Sequence, residues 1–375
     1  MGMRIGFDAK RAFNNSAGLG NFSRNTLNAL AQQYPDHEQF LFSPSANHSL
    51  FTSPKNATVI QPRGLWWKTF PNAWRSVKTG RVAEDLKLDI FHGLSHELPI
   101  GIEYSAIKTV VTIHDLIYLR YPEYFKKIDR AIYDRKFRYA CQVTTKIHAI
   151  SEQTKYDLIS YYNIPEEKIE VIYQCINPLF FEEVEEAKKK SVRQKYHLPE
   201  RFLLTVGTIE PRKNLMGLLE GMLSSRIDLP LVVVGKSTDY RKKVQQMIDS
   251  RPKELKVFFL SGVNDQELQA LYQSAEAMVY PSFFEGFGLP VVEAQASGCP
   301  VITSNISSMP EAGANAAIYV DPEKPWEIGR VMETLLNSSA IAGKMIEKGI
   351  ENAQLYTPGH YARQLTNLYK NILND

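Results

Sequence analysis

Apolar and polar positions fall into two separate series along this chain. Met3–Ala9 alternates with the two-residue period of a short strand, and Asn14–Gly20 is rich in turn formers. Asn21–Tyr34 carries Phe22, Thr26, Leu27 and Leu30 at helical spacing. Phe40–Pro44, Thr58–Ile60 and Asp89–His92 read as further strands. Lys108–Ile113 (KTVVTI) is a β-branched run of the kind that is buried on both faces. A helical stretch follows over Lys126–Gln142, then a strand over Lys146–Ile150. Ser151 is placed to cap the helix beginning at Glu152.

The second series begins near residue 201. Short apolar strands are expected at Phe202–Val206, Pro230–Val234, Lys256–Leu260, Ala277–Tyr280 and Pro300–Thr303. Helical patterns separate or follow them at Leu215–Leu223, Arg241–Arg251, Asp265–Ser274, Pro290–Ser297 and Trp326–Asn337. Strands alternating with helices imply βαβ units and parallel sheets. Two such series imply two doubly wound α/β domains, assigned to 1–180 and 196–357. The charged stretch 181–195, within which EEVEEAKKK falls, is the expected linker. Ligands of open parallel sheets bind beyond the carboxyl ends of the strands, so the residues just after each strand carry the chemistry.

Composition adds little until it is divided along the chain. The 375 residues hold 44 basic and 41 acidic side chains, a formal charge of +3. Residues 1–181 carry 22 Lys/Arg against 17 Asp/Glu, and the remainder 22 against 24. Much of the excess lies in Arg63–Arg81, with five cations, Trp66, Trp67 and Trp74, and no acid. That segment is either a surface for anionic lipid headgroups or a core element with solvated cations. The net charge does not point to a nucleic-acid partner. No run approaches the ~20 apolar residues of a membrane span. The first residues, MGMRIGFDAK, lack a signal-peptide core. Cys141, Cys175 and Cys299 have no metal spacing, so a reducing, cytoplasmic compartment is expected.

The most informative segment is Tyr280–Thr303, YPSFFEGFGLPVVEAQASGCPVIT. A strand leads into a loop with Gly286 and Gly288, and Pro290 suits the first turn of the next helix. Backbone amides and a helix N-terminus there make a ready phosphate site. Glu285 and Glu293 flank it as acceptors for sugar hydroxyls. On the residues alone, the same turn would also serve with Glu285 in solvent and Glu293 answering the helix dipole.

This segment resembles the E-x7-E signature of retaining glycosyltransferases of family 4, through Glu285, Gly286, Phe287, Gly288, Leu289, Pro290, Glu293, Ala294, Ala296, Gly298, Pro300 and Val301. The resemblance implies the GT-B arrangement, two Rossmann-like domains with parallel sheets facing across a central cleft, and a terminal helix of about 358–375 packing back on the first domain. It implies a nucleotide-sugar co-substrate, with Arg212 and Lys213 of LTVGTIEPRKNL at the diphosphate and Phe287, Gly288 and Leu289 offering amides. Thr208 stands where many members carry an arginine. The E-P-R-K-N form resembles mannosyltransferases and favours GDP-mannose, with a UDP-sugar next. By the same resemblance Val263 would meet the base, Glu267 would begin the helix below it, and Glu293 would hold the ribose. Glu285 and His114 would act at the transferred sugar, and the loop with Gly18 and Gly20 would face the diphosphate. Gly18 and Gly20 do not complete a dinucleotide fingerprint, because Ser23 holds its third glycine position. Ser151 lies near the site in the family pattern, and VIYQCINP at Val171–Pro178 departs from it at Gln174 and Cys175.

The expected activity is retaining, metal-independent transfer of a hexose, mannose favoured, to a glycan or lipid-linked glycan in cell-surface polysaccharide synthesis. No D-x-D occurs. No cofactor is expected, and a peripheral contact with the inner membrane face through 63–81 is one reading. The alternatives are a non-transferase relative, an epimerase or phosphorylase, and a two-lobed sugar-binding protein.

Overall fold

A computed structural model describes residues 2–374; Met1 and Asp375, the ends of the expected first domain and terminal helix, lie outside them. The chain forms two compact units. One runs through Cys175 and takes back the chain from Pro358; the other is Ile176–Thr357.

The first unit holds seven strands: β1 (Arg4–Asp8), β2 (Glu38–Phe42), β3 (Ala57–Ile60), β4 (Ile90–Gly93), β5 (Lys108–Ile113), β6 (Lys146–Ala149) and β7 (Ile169–Val171). They lie parallel in the order β3-β2-β1-β4-β5-β6-β7. Successive side chains face opposite sides, so both faces must be covered. Ile90 and Val110 join the buried cluster on one side, and their neighbours Phe91 and Val111 join the cluster on the other. The strand order reverses between β1 and β4, paired through Phe7 and His92, which opens a crevice at their carboxyl ends.

The terminal helix Pro358–Asn374 packs on the helix Gly18–Gln33 and places Tyr361, Leu365 and Tyr369 in the first cluster. A buried polar chain ties it to the sheet. The Ile172 carbonyl can only accept, so His148 donates through Nε2 at 2.8 Å. Neutral His148 then accepts at Nδ1 from the Thr112 hydroxyl at 3.0 Å. That oxygen accepts from His92 Nε2 at 2.8 Å, and His92 Nδ1 accepts from the Tyr369 hydroxyl at 2.6 Å. Burial keeps both rings neutral, holding His92 well below the usual range and His148 at about 4 against the opposing bond to Ile172.

The second unit has six parallel strands: β8 (Leu203–Val206), β9 (Leu231–Val234), β10 (Val257–Leu260), β11 (Ala277–Tyr280), β12 (Val301–Ser304) and β13 (Ala317–Val320). Their order is β10-β9-β8-β11-β12-β13, so this sheet reverses between β8 and β11. Its interior is aliphatic, with Leu203, Leu218, Val233, Val279 and Ile302 buried.

The expected linker at 181–195 is corrected. The unit boundary falls at Cys175, and Glu186–Lys195 is a helix of the second unit packed on the helix Asp265–Tyr272. Val184 and Val192 give the charged run a buried edge. Gln269 donates to the carbonyls of Leu179 and Glu182 at 2.6 and 2.7 Å, and Gln273 accepts from the Val184 amide at 2.9 Å. Strands β7 and β13 and the helix Ser339–Ala353 were not expected. A short helix, Lys10–Asn14, ends where the expected turn begins, and the helix expected from Asn21 begins earlier, at Gly18; Gly20 lies against the Asn15 carbonyl, where a Cβ would come to 1.7 Å.

Tyr369→Phe removes the only donor to His92 Nδ1 among the described residues, and leaves that buried nitrogen unpaired. The cost should be about 1–3 kcal/mol, read as a melting temperature lower by several degrees. An unchanged melting curve would refute this order of donors and acceptors.

Candidate functional site

The reversal in the second sheet sets the ends of β8 and β11 side by side, and the two loops leaving them carry the charged residues. After β8 the chain passes Gly207 and forms a single 3-10 turn, Pro211–Lys213, before the helix Leu215–Ser224. Asn214, in the left-handed region at φ 56°, caps that helix by accepting from the Gly217 amide at 3.2 Å. After β11 the loop 281–288 leads into the helix Leu289–Ala296.

Glu285 from the second loop meets both cations of the first. Lys213 Nζ donates to its Oε1 at 2.6 Å, and Arg212 Nη1 lies 2.8 Å from its Oε2. Tyr280, the last residue of β11, donates to Oε1 at 3.1 Å and accepts from Lys213 at 2.5 Å. Arg212 also donates to the Phe284 carbonyl and to Glu210. The Glu285 side chain is only 11% exposed. Burial alone would raise its carboxyl, but Lys213 and Arg212 with their hydrogen bonds outweigh it and hold it at about 2. Burial lowers Lys213, opposed by Glu285. The carboxylate is therefore ionised at any ordinary pH. Of the three ammonium donors of Lys213, two are engaged by Glu285 and Tyr280. The third has no acceptor among the described residues.

The loop is pinned from behind by residues that sequence reasoning missed. Ser307 accepts from the Glu285 amide at 3.1 Å and returns a bond to its carbonyl at 2.9 Å. Ser308 reaches the carbonyls of Glu285 and Phe287, both at 2.9 Å. Their only signal is the pair of serines before Met309 and Pro310. Tyr280 was signalled only as the strand's last residue. Gly288 has φ 109°, and a Cβ there would come to 2.4 Å from Met309 Cε, so the close turn into the helix requires glycine. The Phe287 ring is buried, 5.5 Å from that of Tyr356, so its backbone alone can face a ligand. Leu289 opens the helix.

Glu293 sits in the same helix but in the opposite environment. Tyr272 donates to its Oε2 at 3.2 Å, and no cation pairs with it among the described residues. Burial, helped by Asp265 and opposed by the Tyr272 hydrogen bond, pushes its carboxyl up to about 7. Val263 is half-buried on the loop after β10, next to a capping box in which Asn264 accepts from the Glu267 amide and Glu267 accepts from the Asn264 amide. Glu267 also accepts from Tyr196 at 2.9 Å and from Lys195. Its carboxylate thus fixes the start of the helix that follows the Val263 loop.

In the first unit, Gly18 begins the helix at the carboxyl end of the reversed sheet, and Phe22 one turn on packs edge-to-face on His114 at 4.6 Å. His114 donates through Nε2 to the Leu94 carbonyl at 3.0 Å, which leaves Nδ1 as an acceptor. Burial lowers it to about 4 against that carbonyl's opposing effect. His114 is thus a neutral acceptor at neutral pH. Ser151 caps its helix, accepting from the Thr154 amide at 3.0 Å. Gln174 and Cys175 are buried. All three cysteines are free and buried, with burial raising each thiol to about 12.

The Glu293 carboxyl sets a pH window for the ligand-free protein. Its folded value of about 7 lies above the ordinary 4.5, so its contribution is present below 4.5 and lost as pH rises through 7. Glu293→Gln should therefore melt a few degrees above the parent at pH ~8, with the gain shrinking as pH falls toward ~5. A gain that does not vary with pH would exclude this origin.

Two family models tile the chain, Glycosyltransferase Family 4 over residues 16–178 and Glycosyl transferases group 1 over residues 187–354. The O-antigen chain mannosyltransferase B of Escherichia coli is 30% identical over 292 residues, covering 76% of this chain and 75% of that protein. The O-antigen chain mannosyltransferase RfbU of Salmonella typhimurium strain LT2 is 34% identical over 223 residues, 58% of each chain. Among solved structures, sucrose-phosphate synthase from Thermosynechococcus elongatus superposes with a TM-score of 0.79 at 19% identity, over 99% of both chains. Two parallel Rossmann-like sheets, the E-x7-E segment at the second reversal and a relative at this identity over three quarters of both chains agree: the chain belongs to glycosyltransferase family 4, with the GT-B class of fold.

Proposed function

We propose that this protein transfers mannose, with retained anomeric configuration, from GDP-mannose to a glycan or lipid-linked glycan during polysaccharide synthesis. The observation that carries the reading is the Lys213–Glu285–Arg212 cluster at the β8/β11 reversal. An ionised carboxylate there accepts hydroxyls of the sugar. The remaining Lys213 donor and the amides at Gly288 and Leu289 answer the negative charge that grows on the leaving diphosphate. Because that charge is larger in the transition state than in the bound substrate, these groups favour the transition state. The preference for mannose rests on the E-P-R-K-N loop and on the relatives, whose names are those of mannosyltransferases.

No side chain is assigned as a nucleophile. The acceptor hydroxyl attacks the anomeric carbon from the face the diphosphate leaves, the glycosidic bond forms as the C–O bond to phosphate breaks, and the acceptor proton passes to the departing phosphate oxygen. Charge neutralisation by Lys213, Arg212 and amides makes the reaction metal-independent in this reading. His114 would contribute an acceptor through Nδ1, and Glu293 would hold the ribose. Three buried free thiols suit a reducing compartment, so the enzyme would work on the cytoplasmic side, its acceptor carried at the membrane.

Glu285→Gln should lower kcat by at least about 10²-fold, the scale of losing one preorganised electrostatic partner. It should also cost stability, because two buried cations lose their counter-charge. Adding Lys213→Met should recover part of the melting temperature and none of the activity. Full transfer by the Glu285→Gln protein would overturn the site.

The donor is tested by thermal shift. GDP-mannose should raise the melting temperature more than GDP-glucose or UDP-glucose. The transferred sugar should retain its α configuration by NMR, with the rate unchanged by EDTA. Loss of transfer in chelator with recovery on Mg²⁺ or Mn²⁺, an inverted product, or epimerisation without transfer would each defeat a named part of this reading.

A further inference from the structure

The segment Arg63–Arg81 takes no part in sugar transfer as proposed, and the structure sorts its residues sharply. Arg75 turns inward, donating to both oxygens of Asp8 at 3.0 and 2.9 Å and to Glu97 at 2.8 Å. Arg63, Lys68, Lys78 and Arg81 form no ion pair with any described residue. The tryptophans divide in the same way. Trp74 is buried against Phe42, and Trp67 is half-buried on the same core. Trp66 is 66% exposed and Leu65 85% exposed, on a short helix, Leu65–Thr69, that buries none of its residues. The exposed Phe70 ring lies 4.8 Å from that of Trp66.

Beside this helix runs a groove of about 630 Å³. Its lining mixes apolar Ile60, Trp67, Trp74 and Val82 with Gln61, and its rim carries Arg63, Lys68 and Lys78. No carboxylate lines it. Ile100, whose amide donates to the Ser76 carbonyl at 2.7 Å, is exposed as well.

Leaving this much aromatic and aliphatic surface in water is unfavourable unless something covers it. The unbalanced positive rim narrows what that is. A protein face of mixed charge would leave the three cations unanswered. An anionic bilayer answers both features, because tryptophan settles at the headgroup level and each surface cation gains from anionic lipid. Among the described residues no helix is long and apolar enough to cross a membrane, so such a contact would be peripheral. We propose that this face docks on an anionic phospholipid bilayer, with Leu65, Trp66 and Phe70 entering the headgroup region and a lipid phosphate seated between the cations of the groove rim. The contact goes beyond the transfer reaction and does not depend on which sugar is transferred.

Co-sedimentation of the full chain with vesicles tests it without any donor or acceptor. The protein should bind phosphatidylcholine vesicles containing roughly a third phosphatidylglycerol and ignore pure phosphatidylcholine. Binding should weaken steeply between about 0.05 and 0.5 M salt. Neutralising Arg63, Lys68 and Lys78 together to Gln should lower the partition coefficient about a hundredfold, near fivefold per cation. Leu65→Ser with Trp66→Ser should abolish binding while the melting temperature stays put, because both side chains are exposed in the fold. Equal binding to neutral vesicles, or variants that bind like the parent, would overturn the proposal. So would a concentration-dependent dimer that Trp66→Ser dissolves, since that would make the face an interface between copies. Mannosyl transfer to a soluble acceptor, measured in parallel, fails only if the reaction reading fails and leaves the vesicle result standing.

Discussion

A carboxylate buried to the extent of Glu285 survives as an anion only if cations reach it, and that requirement organises the crevice of the second unit. The sheet reverses between β8 and β11, so the loops leaving these strands start as neighbours and diverge. One brings Arg212 and Lys213, the other Glu285. Neither set could be buried without the other: isolated, each charge would carry a desolvation cost of several kcal/mol or more. The pairing therefore fastens two loops that also share a backbone hydrogen bond, from the Phe283 amide to the Arg212 carbonyl at 2.9 Å. Tyr280 at the strand end and Ser307 and Ser308 behind the loop hold the anion to its place. Under the proposed function, an arriving diphosphate would meet cations already oriented, with the third Lys213 donor left over by Glu285 and Tyr280.

The two glutamates of the E-x7-E segment differ because their neighbours do. Glu285 has two cations and stays ionised; Glu293 has a tyrosine hydroxyl and a distant like charge, and sits close to neutral. Under the proposed function, the first would accept sugar hydroxyls throughout the reaction. The second holds a proton part of the time until a ligand supplies donors. A polar ligand hydroxyl that donates to Glu293 would favour its ionised form and so be linked to proton release on binding. One helix and one loop thus carry two buried carboxylates shifted in opposite directions, a contrast set by the Lys213 and Arg212 cations that reach Glu285 but not Glu293.

Much of the fold was legible because parallel strands buried on both faces read as short continuous apolar runs, and KTVVTI, LVVV and AMVY are such runs. The E-x7-E segment was legible because glycine and proline at a strand-to-helix turn have few other uses. What stayed hidden depends on pairing across distance. Nothing local marks Tyr280 as a partner of Lys213, and two serines before Met309 look like any turn. The stretch 181–195 reads as a linker by charge, and contacts distant in sequence make it part of a unit: carbonyls collected by Gln269 and Gln273, the buried Val184 and Val192, and the pairing of Lys195 with Glu267. The edge strand β7, with three residues, is too short to show a period.

The first unit shows why charge and aromatic content do not predict their own use. Within nineteen residues, Arg75 serves the core while Lys68 faces solvent, and Trp74 is buried while Trp66 is exposed. The histidines make the same point. His92, His114 and His148 look like candidates for proton chemistry, yet each is buried and neutral, with its tautomer fixed by a carbonyl or by the chain ending at Tyr369. Their physical consequence is structural: lowering the pH through the histidine range asks these rings to take up protons that the fold opposes. The unfolded chain, with ordinary values near 6.5, accepts those protons first. Mild acid therefore bears on the first unit through its interior, where the terminal helix is tied down, and on the second through Glu285 only at far lower pH.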